Sequence, residues 1–319
     1  MNKLRRVMLP IVLCLLICGL SFLTSYAAGQ VVTQEVRDWA KTTLKNEKKL
    51  SSVLANNSLA ILYFFNRTGR SDLNSLQKGM TLMLLTDLSQ IKDLQLLERV
   101  KLQALAEELK LGSSGLVDQQ TAPRVGKLVG VRWIAGGEYV PGQGKNFVTQ
   151  SRLLDVATSE ISGQFSKEGT LEDILTTEKE LVLSIVDKLH ISLKPEVEAA
   201  IRIPCSTSLK ALDALFRGVD ASDHGDYKQA GELYDEALQA DPNVCVAAGA
   251  VQELKQKGLY SGPAGDTIDL QSALAETAFS VSSQTSLTNA LLPKDLIRQE
   301  HTNIVPLVTT PVSIRINFP

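Results

Sequence analysis

The sequence predicts a mixed α/β domain, followed by a helical hairpin and an irregular tail that ends in a strand. Three observations carry this. Residues 58–65 form a short unbroken apolar run, three strand-like runs between 131 and 167 are set apart by turn sequences, and the intervening and following segments repeat apolar residues every three or four positions. With 319 residues, 44% of them apolar, the chain can build the core of one large domain or two smaller ones.

The first residues are set apart from this pattern. Lys3, Arg5 and Arg6 precede an apolar stretch from Val7 to Leu23, which ends in Thr24-Ser25-Tyr26-Ala27-Ala28. This is the layout of a signal peptide, residues 1–27, with Ser25 and Ala27 small enough for the peptidase pockets and the cut after Ala27. Two other readings stand beside it. The run approaches the roughly 18 apolar residues that would make it an uncleaved anchor, against which Pro10 and the small-residue exit argue. Cys14 and Cys18 lie in apolar surroundings, as in a lipoprotein, but neither follows a small residue. Cleavage leaves 30 basic against 35 acidic residues, a balance that offers nucleic acid no electrostatic attraction.

Residues 28–57 are expected to hold an N-terminal helix, from Thr33 to about Val53, with Val36, Trp39, Ala40 and Leu44 on one stripe. The α/β domain then spans 58–195. Ser58 to Phe65 reads as a buried strand stopped by Asn66-Arg67-Thr68-Gly69. A helix over Leu73–Ile91 aligns Leu76, Met80, Met83, Leu84 and Leu88. Leu94–Leu97 is a short strand and Glu98–Leu109 a helix. Asp118 can cap the next helix, which carries Ala122, Val125, Leu128 and Val129 and stops at Gly130. Val131–Tyr139, Phe147–Leu154 and Glu160–Lys167 form a meander turned at Pro141–Gly144 and Asp155–Ser159. A helix over Leu171–Leu189 closes an order β-α-β-α-α-β-β-β-α, a mixed sheet with helices.

That order, with certain residues, resembles the CsgG-like family of envelope proteins, which includes the flagellar FlgO type and is similar to the TolB amino-terminal domain. The marks fall between Leu59 and Leu189. They are Ala60-Ile61-Leu62-Tyr63-Phe64 followed by Asn66, the step Leu97-Glu98-Arg99 into a helix, Thr121 to Gly130, and Leu153-Leu154-Asp155-Val156-Ala157-Thr158. Each also has a plain structural account as fold maintenance: Gly126 and Gly130 permit close packing, and Asp155 can bond nearby backbone in a turn. In the curli channel, two long hairpins per subunit join a membrane barrel of strands about nine to eleven residues long. The stretch from Val131 to Lys167 fits a compact meander, so no transmembrane barrel is expected of this chain. The resemblance implies a periplasmic domain that packs against copies of itself or against an envelope machine.

Residues 205–257 are expected to form the hairpin. From Ala211 to Asn243 the small and aromatic residues fall as in a tetratricopeptide (TPR) repeat: Gly218 and Ala230 let two antiparallel helices approach, Tyr234 and Ala237 fill the groove between them, and Pro242 stops the second. Arg217 and Ala221 depart from that pattern. A solitary repeat is unstable, so help is expected from a third helix over Val244–Leu254 and from a disulfide between Cys205 and Cys245, the two cysteines left after signal removal. Two unpaired buried thiols are the alternative. The hairpin reads either as a groove for a peptide or partner helix or as a packing appendage. In the tail, 258–319, Val312 to Phe318 alternates at period two and can add to a sheet edge.

Catalytic chemistry finds little to rest on. His190, His224 and His301 share no metal spacing, Gly142-Gln143-Gly144-Lys145 lacks the earlier glycine of a phosphate loop, and Glu107-Glu108 sits on an ordinary helix face. No catalytic residue, metal or cofactor is expected. The expected function is assembly or scaffolding in the periplasm, in peripheral association with the outer membrane and in contact with other envelope proteins or with itself. The alternative is a periplasmic small-ligand-binding or sensing domain, which would show a concave apolar pocket.

Overall fold

Strand β1, Ala55–Asn66, is the centre of the α/β domain, buried from Ser58 to Phe64 because both of its faces are covered. The computed structural model describes residues 30–50, 54–110 and 121–262 of the chain. These belong to the first of two units, divided after Pro263. The proposed cleavage site at Ala27, residues His301 and Asp118, and the terminal strand lie outside the described residues.

β1 pairs in parallel with β2 (Gln95–Leu96) and with β3 (Val131–Pro141), and β4 (Phe147–Asp155) and β5 (Glu160–Gly169) extend the sheet antiparallel, in the order β2-β1-β3-β4-β5. Along the described chain the helices are α1 (Gln34–Lys45), α2 (Leu76–Leu88), α3 (Arg99–Glu108), α4 (Ala122–Val129), α5 (Ile174–Lys188), α6 (Pro195–Ile201), α7 (Leu209–Asp223), α8 (Tyr227–Ala240) and α9 (Ala247–Gln256). On one sheet face Leu59, Ile61 and Phe64 pack with α2 and α5. On the other, Ala60, Leu62 and Tyr63 meet α3 and α4. Both sets can lie so because β1 carries one extra residue against β3 between Ile61 and Phe64. This bulge turns Tyr63 to the α3 side.

Local chemistry accounts for the joints. Asn66 stitches the end of β1 to the approach to α2: its carboxamide oxygen accepts from the Thr68 N–H at 3.0 Å, and its amide donates to Arg70 O at 2.7 Å and Asn74 Oδ1 at 2.8 Å. Asp155 accepts from Ala157 N–H at 2.9 Å and receives the Arg132 guanidinium at 2.6 and 2.8 Å, which holds its carboxyl below the usual range. Gly126 does serve close packing, since a Cβ there would meet Val156 at 2.4 Å. Gly130 does not. It has open space beside it and φ of 72°, so it ends α4 as a left-handed cap.

Helix α1 is shorter than expected: it stops at Lys45, and a 3-10 turn over Glu47–Lys49 follows. Pro195, set before Glu196 and Glu198, opens α6, an element the periodicity did not suggest. The hairpin α7–α8 is not free-standing. Phe216 and Ala221 of α7, together with Tyr234 and Ala237 of α8, belong to the same apolar core as Phe64, Met80 and Leu181. A Cβ on Gly79 of α2 would lie 2.3 Å from the Phe216 ring, so helices α2 and α7 touch nearly backbone to side chain. Gly79→Ala is accordingly expected to cost about 1–3 kcal/mol, read from urea unfolding, with Phe216→Leu in the same chain restoring part of the loss.

Candidate interaction site at the hairpin junction

The first wall of the site is the hairpin. Inside it, the residues singled out above come together: a Cβ on Gly218 would meet the Tyr234 ring at 2.6 Å, and Ala230, Tyr234 and Ala237 are fully buried. Pro242 follows the extended Asp241 that ends α8. Cys205 and Cys245 are bonded, with 4.9 Å between their Cα atoms. α8 starts on Asp226, whose side chain caps Gln229 N–H at 3.1 Å.

The second wall is the α/β domain, and the two meet over a buried ion cluster. Arg99, the residue that opens α3, donates from one guanidinium nitrogen to both Asp223 oxygens at 2.8 and 3.0 Å, from Nε to the Gln30 side-chain oxygen at 2.9 Å, and from its third nitrogen to the Gln30 carbonyl at 3.0 Å. Tyr63 OH takes a contact from Arg99 at 3.2 Å and donates to Gln103 at 2.9 Å. Lys78 of α2 reaches Asp223 at 2.9 Å and Asp220 at 2.7 Å, over the Tyr63 ring. Arg99 and Asp223 are 3% and 1% exposed. Burial alone would lower the pKa of Arg99, but the Asp223 carboxylate reverses this and holds the guanidinium firmly charged. Burial pushes the Tyr63 phenol up.

Above this floor opens a cleft of about 1030 Å³, lined by the approach to α2 and by α3, α7 and α8. Its charges cancel nearly pair by pair: Asp72 with Arg70, Glu107 with Arg37, Asp213 with Arg217, and Asp220 with Lys78. Glu107, placed by the sequence on an ordinary helix face, thus links α1 to α3 through Arg37. Arg217, where a repeat would set an apolar residue, lies on the cleft rim. His224 is exposed at the end of α7 against Asp220, and His190 follows α5 with φ of 54°. Among the described residues, no group of three or more His, Cys, Asp and Glu could hold a metal ion.

Sequence reasoning missed Gln30, Lys78 and Asp223. One signal was present: Asp220 and Asp223 occupy the last turn of α7, which carries no basic residue, and an anion there opposes the helix dipole. Such acids call for cations from elsewhere in the fold.

The architecture is therefore a mixed-sheet domain with a helical hairpin keyed onto it. Residues 33–140, from the cap of α1 to the end of β3, match the family model of the curli production assembly/transport component CsgG. Among solved structures, the LpoB C-terminal domain from Salmonella enterica is 20% identical, with a TM-score of 0.31 over 42% of this chain and 95% of that one. Lipoprotein GNA1162 from Neisseria meningitidis is 13% identical, with a TM-score of 0.31 over 43% and 99%. The PelC dodecamer from Paraburkholderia phytofirmans is 12% identical, with a TM-score of 0.26 over 45% and 94%. No curated protein matches the chain. Among the described residues, no helix is long and apolar enough to cross a membrane.

Proposed function

We propose that this chain is a non-enzymatic cell-envelope protein, exported to the periplasm and associated with the outer membrane, that acts as an assembly or scaffolding factor in secretion or surface-structure biogenesis. The observation that carries the reading is the match of residues 33–140 to the CsgG family model. The hairpin, 205–257, is its partner-facing part, TPR-like in its packing residues Gly218, Ala230, Tyr234, Ala237 and Pro242 and held rigidly to the domain by α2 and the ion cluster.

The cleft supports a protein contact over a small apolar ligand. Most of its lining residues are polar or charged, with Tyr63, Ala106, Ala221 and Leu233 as the apolar contributions, whereas small-molecule pockets are lined mostly by apolar and aromatic residues. Paired charges and amide groups suit the polar rim of an interface. The test is mass photometry of residues 28–319, beside photo-crosslinking in the intact envelope from a probe at Gln229 in the cleft. A defined oligomer, or a specific envelope protein crosslinked at that position, is expected. A strict monomer with no neighbour would overturn the proposal and favour ligand binding.

A further inference from the structure

A second buried polar cluster lies away from the hairpin junction, where α2 packs on α5. Asp87, from the last turn of α2, and Glu178, from α5, face one another there, and the Lys179 ammonium touches both carboxylates. Glu178 is 1% exposed, and its Oε1 is buried without a hydrogen-bond donor. Two carboxylates and one ammonium in such a place leave one negative charge uncompensated, a state that burial strongly disfavours. A proton on Glu178 resolves it: the carboxylic acid donates to Asp87, Asp87 accepts from Lys179, and the cluster becomes neutral.

We propose that Asp87 and Glu178 form a proton-binding site, and that the proton held between them fastens α2 to α5 and makes the fold responsive to the pH outside the cell's buffered interior. Among the described residues, the neighbouring elements supply no substitute cation. Lys167 of β5 pairs with Glu180, Lys78 of α2 with Asp220 and Asp223, and Arg132 beside β4 with Asp155. Arg152 of β4 is exposed. On α6, Glu196 is exposed and Glu198 pairs with Arg202.

Burial, then the Asp87 charge, push the Glu178 carboxyl up to about 8, and burial raises Asp87 as well. The unfolded chain releases this proton near the ordinary glutamate value, about 4.3. Between those values the folded state holds a proton that the unfolded state lacks, so stability falls as pH rises through the window and levels off above it. Asp155, Asp72 and Glu47, held low by Arg132, Arg70 and Arg124, act with the opposite sign and below the window.

The experiment is urea unfolding of residues 28–319 across about pH 5 to 8.5, native against Glu178→Gln. The native folding constant is expected to fall by up to about tenfold per pH unit relative to the variant, the mark of one proton released on unfolding. Asp87→Asn should move the window to lower pH. Equal pH dependence in native and Glu178→Gln proteins would overturn the proposal. Should Glu178→Gln fail to fold, infrared spectra of the native protein decide: a buried protonated-carboxyl stretch that persists at neutral pH and titrates away near the upper edge supports it, and its absence at neutral pH sinks it.

Discussion

Asp223→Ala is expected to destabilise the fold by about 3–5 kcal/mol, the usual cost of removing one partner from a buried ion pair. The carboxylate is met by Arg99 at 2.8 Å and Lys78 at 2.9 Å, and neither cation can reach water freely, at 3% and 12% exposed. After the substitution Arg99 keeps the two Gln30 oxygens and the Tyr63 hydroxyl, which accept from three of its five N–H groups and carry no charge. The loss thus combines an uncompensated charge with guanidinium N–H groups left without an acceptor. A double-mutant cycle separates the two: Arg99→Met with Asp223→Leu should lie closer to the native protein than Asp223→Ala, since apolar replacements of similar volume remove the charge with its partner. Amide exchange adds the location, because α7 should lose protection before β1. A cost under about 1 kcal/mol would mean that water from the cleft already solvates the cluster.

This cluster also marks where the sequence stops being readable. β1, the meander, the turn at Asp155 and the stop at Gly130 each follow from residues within a few positions of one another, and local pattern suffices for them. The inner packing of the hairpin follows likewise, because Gly218, Ala230, Tyr234 and Ala237 meet across one short turn. The outer packing does not. Phe216 looks like any apolar helical residue until α2 brings Gly79 against it, and Gln30 and Asp223 touch the same arginine from 69 residues before it and 124 after it. Glu178 was hidden for a related reason: in Thr-Thr-Glu-Lys-Glu it resembles an exposed helix face, and only the approach of Asp87 on another helix shows that it is buried. α1 was overextended because Lys45-Asn46-Glu47-Lys48-Lys49 favours helix by composition while offering no apolar stripe to bury. The family match could be anticipated from ordered local marks; the junction could not, since it is made by tertiary contacts.

Replacing Cys205 and Cys245 by serine is expected to cost about 3–4 kcal/mol, from the chain entropy that a closed loop of this length removes from the unfolded state. The bond spans a separation of 40 residues and ties the entrance of α7 to the segment before α9. Two polar links sit beside it: Cys245 N–H donates to Cys205 O at 2.9 Å, and the buried Ser206 hydroxyl donates to Asp241 at 2.5 Å, helping to hold that carboxyl low. One local feature opposes the gain. Val246 has φ of 67° and centres a γ-turn closed by Ala247 N–H to Cys245 O at 2.7 Å, a strained conformation for a β-branched residue. Relaxation of that turn in the serine variant sets the net loss at the lower end of the range. Hydrogen exchange should find the loss in α8 and α9, while the amides of the sheet keep their protection. If exchange in α8 and α9 were unchanged, the stability of the hairpin would come from its docking on α2 and from the Arg99–Asp223 pair, and the disulfide would constrain only the loop that carries it.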